Sequence, residues 1–156
     1  MRRPLLAALG LAALVGCRPA PAVYHLGEIT ISHVVSPEPQ RGGPGGAYFT
    51  IVNGGPDDTL VGVASPDADT VMMHQSETSG GMMQMQMTAT VPIPAGDTVR
   101  FAPGRRHVML AGLRRTLLPG DSLPLTLTFR GAGTVVVSAR VVAYADLDAA
   151  LGTGSR

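Results

Sequence analysis

Leu123-Pro-Leu125-Thr-Leu127-Thr-Phe129 followed by Arg130-Gly-Ala-Gly133 and Thr134-Val-Val-Val-Ser-Ala-Arg-Val-Val142 decides the class of fold. Apolar side chains at 123, 125, 127 and 129, with Thr126 and Thr128 between them, show the period of a strand with one face in a core. A glycine-rich turn and a second run dense in β-branched residues complete a hairpin. The pattern repeats outward. Ile29 and Ile31 alternate with Glu28, Thr30 and Ser32; Tyr48–Val52, Leu60–Val63 and Val99–Phe101 are further short strands bounded by Gly, Pro, Asn and Asp. No stretch after the first sixteen residues shows an apolar period of 3.6. Seven to nine short strands over about 120 residues predict an all-β, antiparallel sandwich of Greek-key type. Ser36–Gly46 reads as a Pro/Gly-rich loop, and residues 144–156 as a flexible C-terminal tail.

The 156 residues suit one domain, and an apolar content of 45% suits a buried core. Twelve basic residues, all arginine, face eleven acidic ones, with no basic run and no tryptophan. A nucleic-acid surface, which needs clustered cations and stacking rings, is therefore not expected.

Arg2-Arg3 precede an apolar run from Pro4 to Val15, a charged and then hydrophobic opening too short to span a bilayer. The run ends in Leu14-Val-Gly-Cys17, which resembles the lipobox of bacterial lipoproteins. That resemblance implies cleavage after residue 16 and lipidation of Cys17. It divides the chain into a signal peptide (1–16), a lipidated Cys and Pro-rich tether (17–23), a domain (24–143) and the tail. The domain would then face the periplasm, anchored to the inner or the outer membrane. Cys17 is the only cysteine, so no disulfide can hold the exported domain together, and a metal site must do without thiolate.

The chemistry gathers in one window. Seven of the eight methionines lie between Met72 and Met109, together with His74 and His107. Val71–Glu77 and Met82–Thr90 read as a hairpin. A turn centred on Ser79-Gly80 would set His74 opposite Met85 and Met72 opposite Met87. Alternation then places Met72, His74, Met83, Met85 and Met87 on one face, with Met73 and Met82 packing on the other. In His107-Val-Met109 the imidazole and thioether emerge on the same side, leaving Val108 and Leu110 for the core. A flexible apolar patch would use methionine too. Two histidines each tied to thioethers by strand geometry favour a soft metal instead. Neutral imidazole with thioether suits Cu(I), whereas Zn(II) takes thiolate, imidazole and carboxylate, and Ca²⁺ or Mg²⁺ takes oxygen clusters. Asp57, Asp58, Asp67 and Asp69 read as solvated turn residues. His25 and His33 lie outside the pattern and read as surface residues.

The spacing His74-x10-Met85-x21-His107-x-Met109 resembles the H-x10-M-x21-H-x-M signature of the periplasmic PCuAC-type copper chaperones. Residues 46–53 (Gly-Ala-Tyr-Phe-Thr-Ile-Val-Asn), 60–66, 91–96, 103–113 and 120–129 are similar to that family's blocks, so the resemblance covers about Tyr24–Val142. It implies a cupredoxin-like sandwich that holds one Cu(I) through His74, Met85, His107 and Met109. Met72, Met83 and Met87 would form a possible secondary shell. It further implies delivery to the dinuclear copper centre of cytochrome c oxidase subunit II, directly or through a second copper chaperone, by a monomer. Ala145–Arg156 contains neither His nor Met, unlike relatives with a metal-binding extension, so one site is expected. An enzyme is not expected: there is no Gly-x-Ser-x-Gly elbow, no phosphate-binding glycine loop and no cysteine nucleophile in the domain. A blue-copper electron carrier would need a cysteine ligand. Copper buffering without a dedicated client, and a scaffold lipoprotein with a methionine-rich docking surface, are the alternative functions.

Overall fold

The computed structural model describes residues 21–40, 43–79 and 81–152. Among these, eleven strands follow in order: β1 (Tyr24–Leu26), β2 (Ile29–Pro37), β3 (Gly45–Asn53), β4 (Asp58–Ala64), β5 (Ala68–Ser79), β6 (Met82–Thr88), β7 (Val91–Ile93), β8 (Thr98–Phe101), β9 (Arg106–Leu113), β10 (Ser122–Phe129) and β11 (Gly133–Val142). The signal peptide, Cys17 and most of the tether lie outside the described residues. The count exceeds the expected seven to nine. The excess is β1 and β7, each three residues long and too short to show alternation in sequence.

The strands pair in the order β6-β5-β9-β8-β3-β2-β11-β10-β4-β7, with β1 beside β2 and β9 also bonded to β3. The pairings are antiparallel except for β2 with β11 and a single bridge between β8 and β9. The parallel ladder Val35–Pro37 with Arg140–Val142 joins two halves of the sheet path, whose apolar faces meet in one core. Ile31, Phe49, Phe101, Val108 and Leu110 come from one half; Leu60, Ile93, Leu123, Leu125, Leu127 and Phe129 come from the other. The alternation seen in sequence is the burial pattern observed: in β10 the apolar positions 123, 125, 127 and 129 are all buried. Phe49 and Phe101 stack across β3 and β8 at 4.3 Å between ring centroids, the offset arrangement aromatic pairs favour. This is a cupredoxin-like β-sandwich.

Among the described residues the two polar residues buried in the sandwich, Ser36 and Asn53, are both hydrogen-bonded. The Asn53 amide donates to the carbonyls of Pro56 (2.7 Å) and Ile93 (3.0 Å), and its carbonyl accepts from Gly55 N–H (2.9 Å). It thereby fastens the end of β3 to β7. The carboxylate of Asp58 accepts from Gly131 N–H (2.7 Å) and Ala132 N–H (2.8 Å), closing the β10–β11 turn. Asp67 and Asp69 form ion pairs with Arg115 (2.9 Å) and Arg114 (3.0 Å).

Two expectations about connections are corrected. The loop expected at Ser36–Gly46 is shorter, because Ser36 and Pro37 pair with β11 and Gly45 and Gly46 pair with β9. The segment expected as a flexible tail instead forms a 3₁₀ turn, Tyr144–Asp146, and a short helix α1, Leu147–Leu151. Leu147 is buried against Val35 and Val142, so apolar packing holds this segment to the sandwich.

Candidate metal centre

The candidate site is built on three neighbouring strands, β6, β5 and β9, at one end of the sheet path. β9 is anchored through Val108 and Leu110, which are fully buried, as their alternation with His107 and Met109 requires. β5 pairs with β9 so that His74 lies opposite His107 and Met72 opposite Met109. Directly opposed residues project to the same face, and positions 72 and 74 are two apart. The two histidines and two methionines therefore share one partly exposed face. On the other side of β9 the residue opposite Met109 is Gly46, which brings no side chain beside the thioether.

The β5–β6 hairpin places Met87 opposite His74, Met85 opposite Ser76 and Met83 opposite Thr78. The expected pairing, His74 with Met85 and Met72 with Met87, is thus two residues out of register. The ladder runs on to Ser79 and Met82, and the reversal takes in Gly81 at φ +80°, a conformation glycine adopts without strain. The displacement is an even number, so Met72, His74, Met83, Met85 and Met87 remain on one face. Met85 is now the diagonal neighbour of His74, within reach of a long side chain. Met73 is 5% exposed and packs in the core, as expected. Met82, expected to pack with it, is 67% exposed, because β6 is an edge strand with solvent on both faces.

The imidazoles of His74 and His107 lie 5.5 Å apart, centroid to centroid, tilted by 32°. Nδ1 of His74 is buried without a hydrogen-bond partner. A buried polar nitrogen left unsatisfied is costly, and calls for an explanation such as an ion that completes it. Burial, and secondarily the charge of a protonated His107, holds the His74 imidazole below its ordinary value of 6.5. The neutral, lone-pair-bearing form that ligates metals is thereby favoured. Nδ1 of His107 lies 3.2 Å from the carbonyl oxygen of Arg105. A carbonyl only accepts, so Nδ1–H donates and the lone pair sits on Nε2. This is the backbone orientation common for metal-binding histidines.

Among the described residues, no three His, Cys, Asp or Glu side chains gather at one place. The donors beside the histidine pair are thioethers, which disfavours a zinc or calcium site and fits a soft ion. His25 bonds to Thr30 (3.2 Å) and His33 to Ser32 (3.1 Å), each outside this face. The β5–β9 pairing that brings His74 to His107, and the register that brings Met87 to His74, were not foreseen. The His107-x-Met109 spacing was the sequence signal for the first. The dipeptide Gly80-Gly81, a favoured two-residue hairpin turn, was the sequence signal for the second.

Comparison with known proteins agrees with this architecture. The copper-bound PCuAC domain of PmoF2 superposes with a TM-score of 0.68 at 29% identity, covering 78% of this chain and 98% of that domain. The solution structure of Cu(I)-DR1885 from Deinococcus radiodurans gives a TM-score of 0.57 at 34% identity, over 71% of this chain and 74% of that one. A protein of Leifsonia xyli subsp. xyli that carries a lipoprotein's name, Lxx21020, is 36% identical over 83 residues. That match takes in 53% of this chain and half the length of the relative. The model of the LpqE-like lipoprotein family matches residues 29–141. Fold and sequence together define a cupredoxin-like domain of PCuAC type. The chain belongs to the LpqE-like lipoprotein family.

Proposed function

We propose that this protein is a membrane-anchored, extracytoplasmic carrier of Cu(I), holding one ion through His74, Met85, His107 and Met109. The observation that carries the reading is the buried, partnerless Nδ1 of His74 beside His107, on a face otherwise furnished with thioethers. The copper named in the PmoF2 and DR1885 structures supports it. The ion is cargo and undergoes no reaction here. Imidazole and thioether bind it without a charged ligand, and a thioether leaves the metal without needing a proton. A partly exposed site with such ligands suits transfer by ligand exchange. In this reading Cys17 carries the lipid, and the domain faces the periplasm. The recipient is the dinuclear copper centre of cytochrome c oxidase subunit II, reached directly or through a second copper chaperone.

The test is Cu(I) titration of the full-length chain carrying Cys17→Ser, so that no thiolate competes, against a chromophoric chelator. One ion per chain is expected, with affinity falling at least tenfold in His74→Ala and in His107→Ala. No uptake by the parent protein, or uptake indifferent to both substitutions, would overturn the assignment. Mixing the loaded protein with the apo copper-binding portion of subunit II then tests delivery. Absence of transfer would reject the client and leave the carrier.

A further inference from the structure

The spacing of the sequence points to Met85 as the hairpin's ligand, but the register favours its neighbour. Met87 is the residue directly across the ladder from His74, where Cβ atoms lie about 4.5–5.5 Å apart; Met85 occupies the diagonal, at about 7–8 Å. Both thioethers lie on the His74 face. Neither is held by packing: Met85 is 66% exposed and Met87 71%. Each has three rotatable bonds and can adapt its sulfur position without moving backbone. Among the described residues, strand β6 has no second partner strand to restrain it. Nor does folding call for these residues. Large apolar side chains exposed on an open edge strand, with no charge or proline from Met82 to Thr88, are the reverse of the usual protection of such edges. What methionine supplies there, and glutamine or threonine would not, is a soft sulfur donor.

We propose that Met85 and Met87 are interchangeable ligands of the same ion, alternating at the position that faces His74. His74, His107 and Met109 hold the ion while one hairpin thioether leaves and the other takes its place, so exchange opens the site on its solvent side. This rests on the Cu(I)-carrier reading, and it adds a ligand that the four-residue spacing does not contain.

The experiment is a double-substitution cycle in the full-length Cys17→Ser chain, with Met85→Leu, Met87→Leu and both together; leucine keeps volume and apolarity but removes the donor. Cu(I) affinity is read by chelator competition, and ¹³C-methyl NMR of methionine follows which sulfurs sense the ion. Each single substitution should weaken binding less than about fivefold, and the pair at least fiftyfold. The Met87 methyl should shift on loading, and shift further in the Met85→Leu protein. If Met87→Leu changes nothing in either background, Met87 is a spectator and the proposal fails. It fails equally if Met85→Leu alone abolishes binding. Both outcomes leave the carrier reading standing, whereas absence of uptake by the parent protein removes that reading itself.

Discussion

Met73 and Met109 offer a comparison in which one substitution is made on the two faces of one ribbon. Met73 is 5% exposed, pairs with Val108 and Thr88, and belongs to the main core; Met109 is partly exposed on the histidine face. Truncation to alanine removes three heavy atoms, worth about 0.8 kcal/mol each when buried, or roughly 2.4 kcal/mol for Met73. The sandwich around it relaxes only in part, and the remaining void brings the expected cost of Met73→Ala to about 3 kcal/mol. Met109→Ala loses less transfer free energy, and water fills the space, so about 1 kcal/mol is expected. For a domain of this size these costs correspond to falls in Tm of about 10 °C and 4 °C. Urea unfolding of the apo proteins, with unchanged m, measures the difference. The order should invert for Cu(I): Met109→Ala loses at least tenfold in affinity while Met73→Ala stays within about threefold. Equal destabilisation by the two substitutions would show that Met109 is a core residue and that the face is not free for a ligand. Greater loss of copper affinity in Met73→Ala would refute the face assignment altogether.

Two further predictions concern the turn carboxylate and the anchor. Burial raises the Asp58 carboxyl, but hydrogen bonds from the N–H groups of Gly131, Thr59, Ala132 and Arg130 outweigh it, leaving the group below its ordinary 3.8. A carboxylate lowered on folding contributes stability that is complete above its unfolded value and is lost as pH falls through its folded one. Asp58→Ala should therefore cost about 1–2 kcal/mol at pH 7 by chemical denaturation, and the difference from the parent should shrink below pH 4; a pH-independent difference would contradict the role given to the charge. Cys17→Ser should move the protein from the detergent phase to the soluble extracytoplasmic fraction without changing Cu(I) affinity. A parent protein already free of the membrane would show that Leu14-Val-Gly-Cys17 is not a lipidation signal.

The sandwich core was legible because β10 alternates without interruption: Leu123, Leu125, Leu127 and Phe129 are all buried in the structure. What escaped was either short or non-local. Strand β7 is the three residues Val91–Ile93, and α1 is five residues whose apolar pair, Leu147 and Leu151, spans a single turn. Neither is long enough to establish a period against the background of the chain. The bond network of Asn53 joins segments 40 residues apart, and no local pattern announces it.

The site shows the same division within a few residues. Which face a strand residue occupies depends only on parity, so a hairpin misread by two positions still put Met72, His74, Met83, Met85 and Met87 together. Which residue it touches depends on where the chain reverses, and that was decided by a glycine free to adopt positive φ, at Gly81. An error of one residue would have scattered the face; the error of two only exchanged Met85 for Met87 opposite His74. Because the strand reads Met-x-Met-x-Met from 83 to 87, that exchange replaces one thioether by another. A slip of two along this strand keeps a thioether facing the histidine pair, which is also the property a hairpin needs if it is to trade one ligand for the next while the ion stays bound.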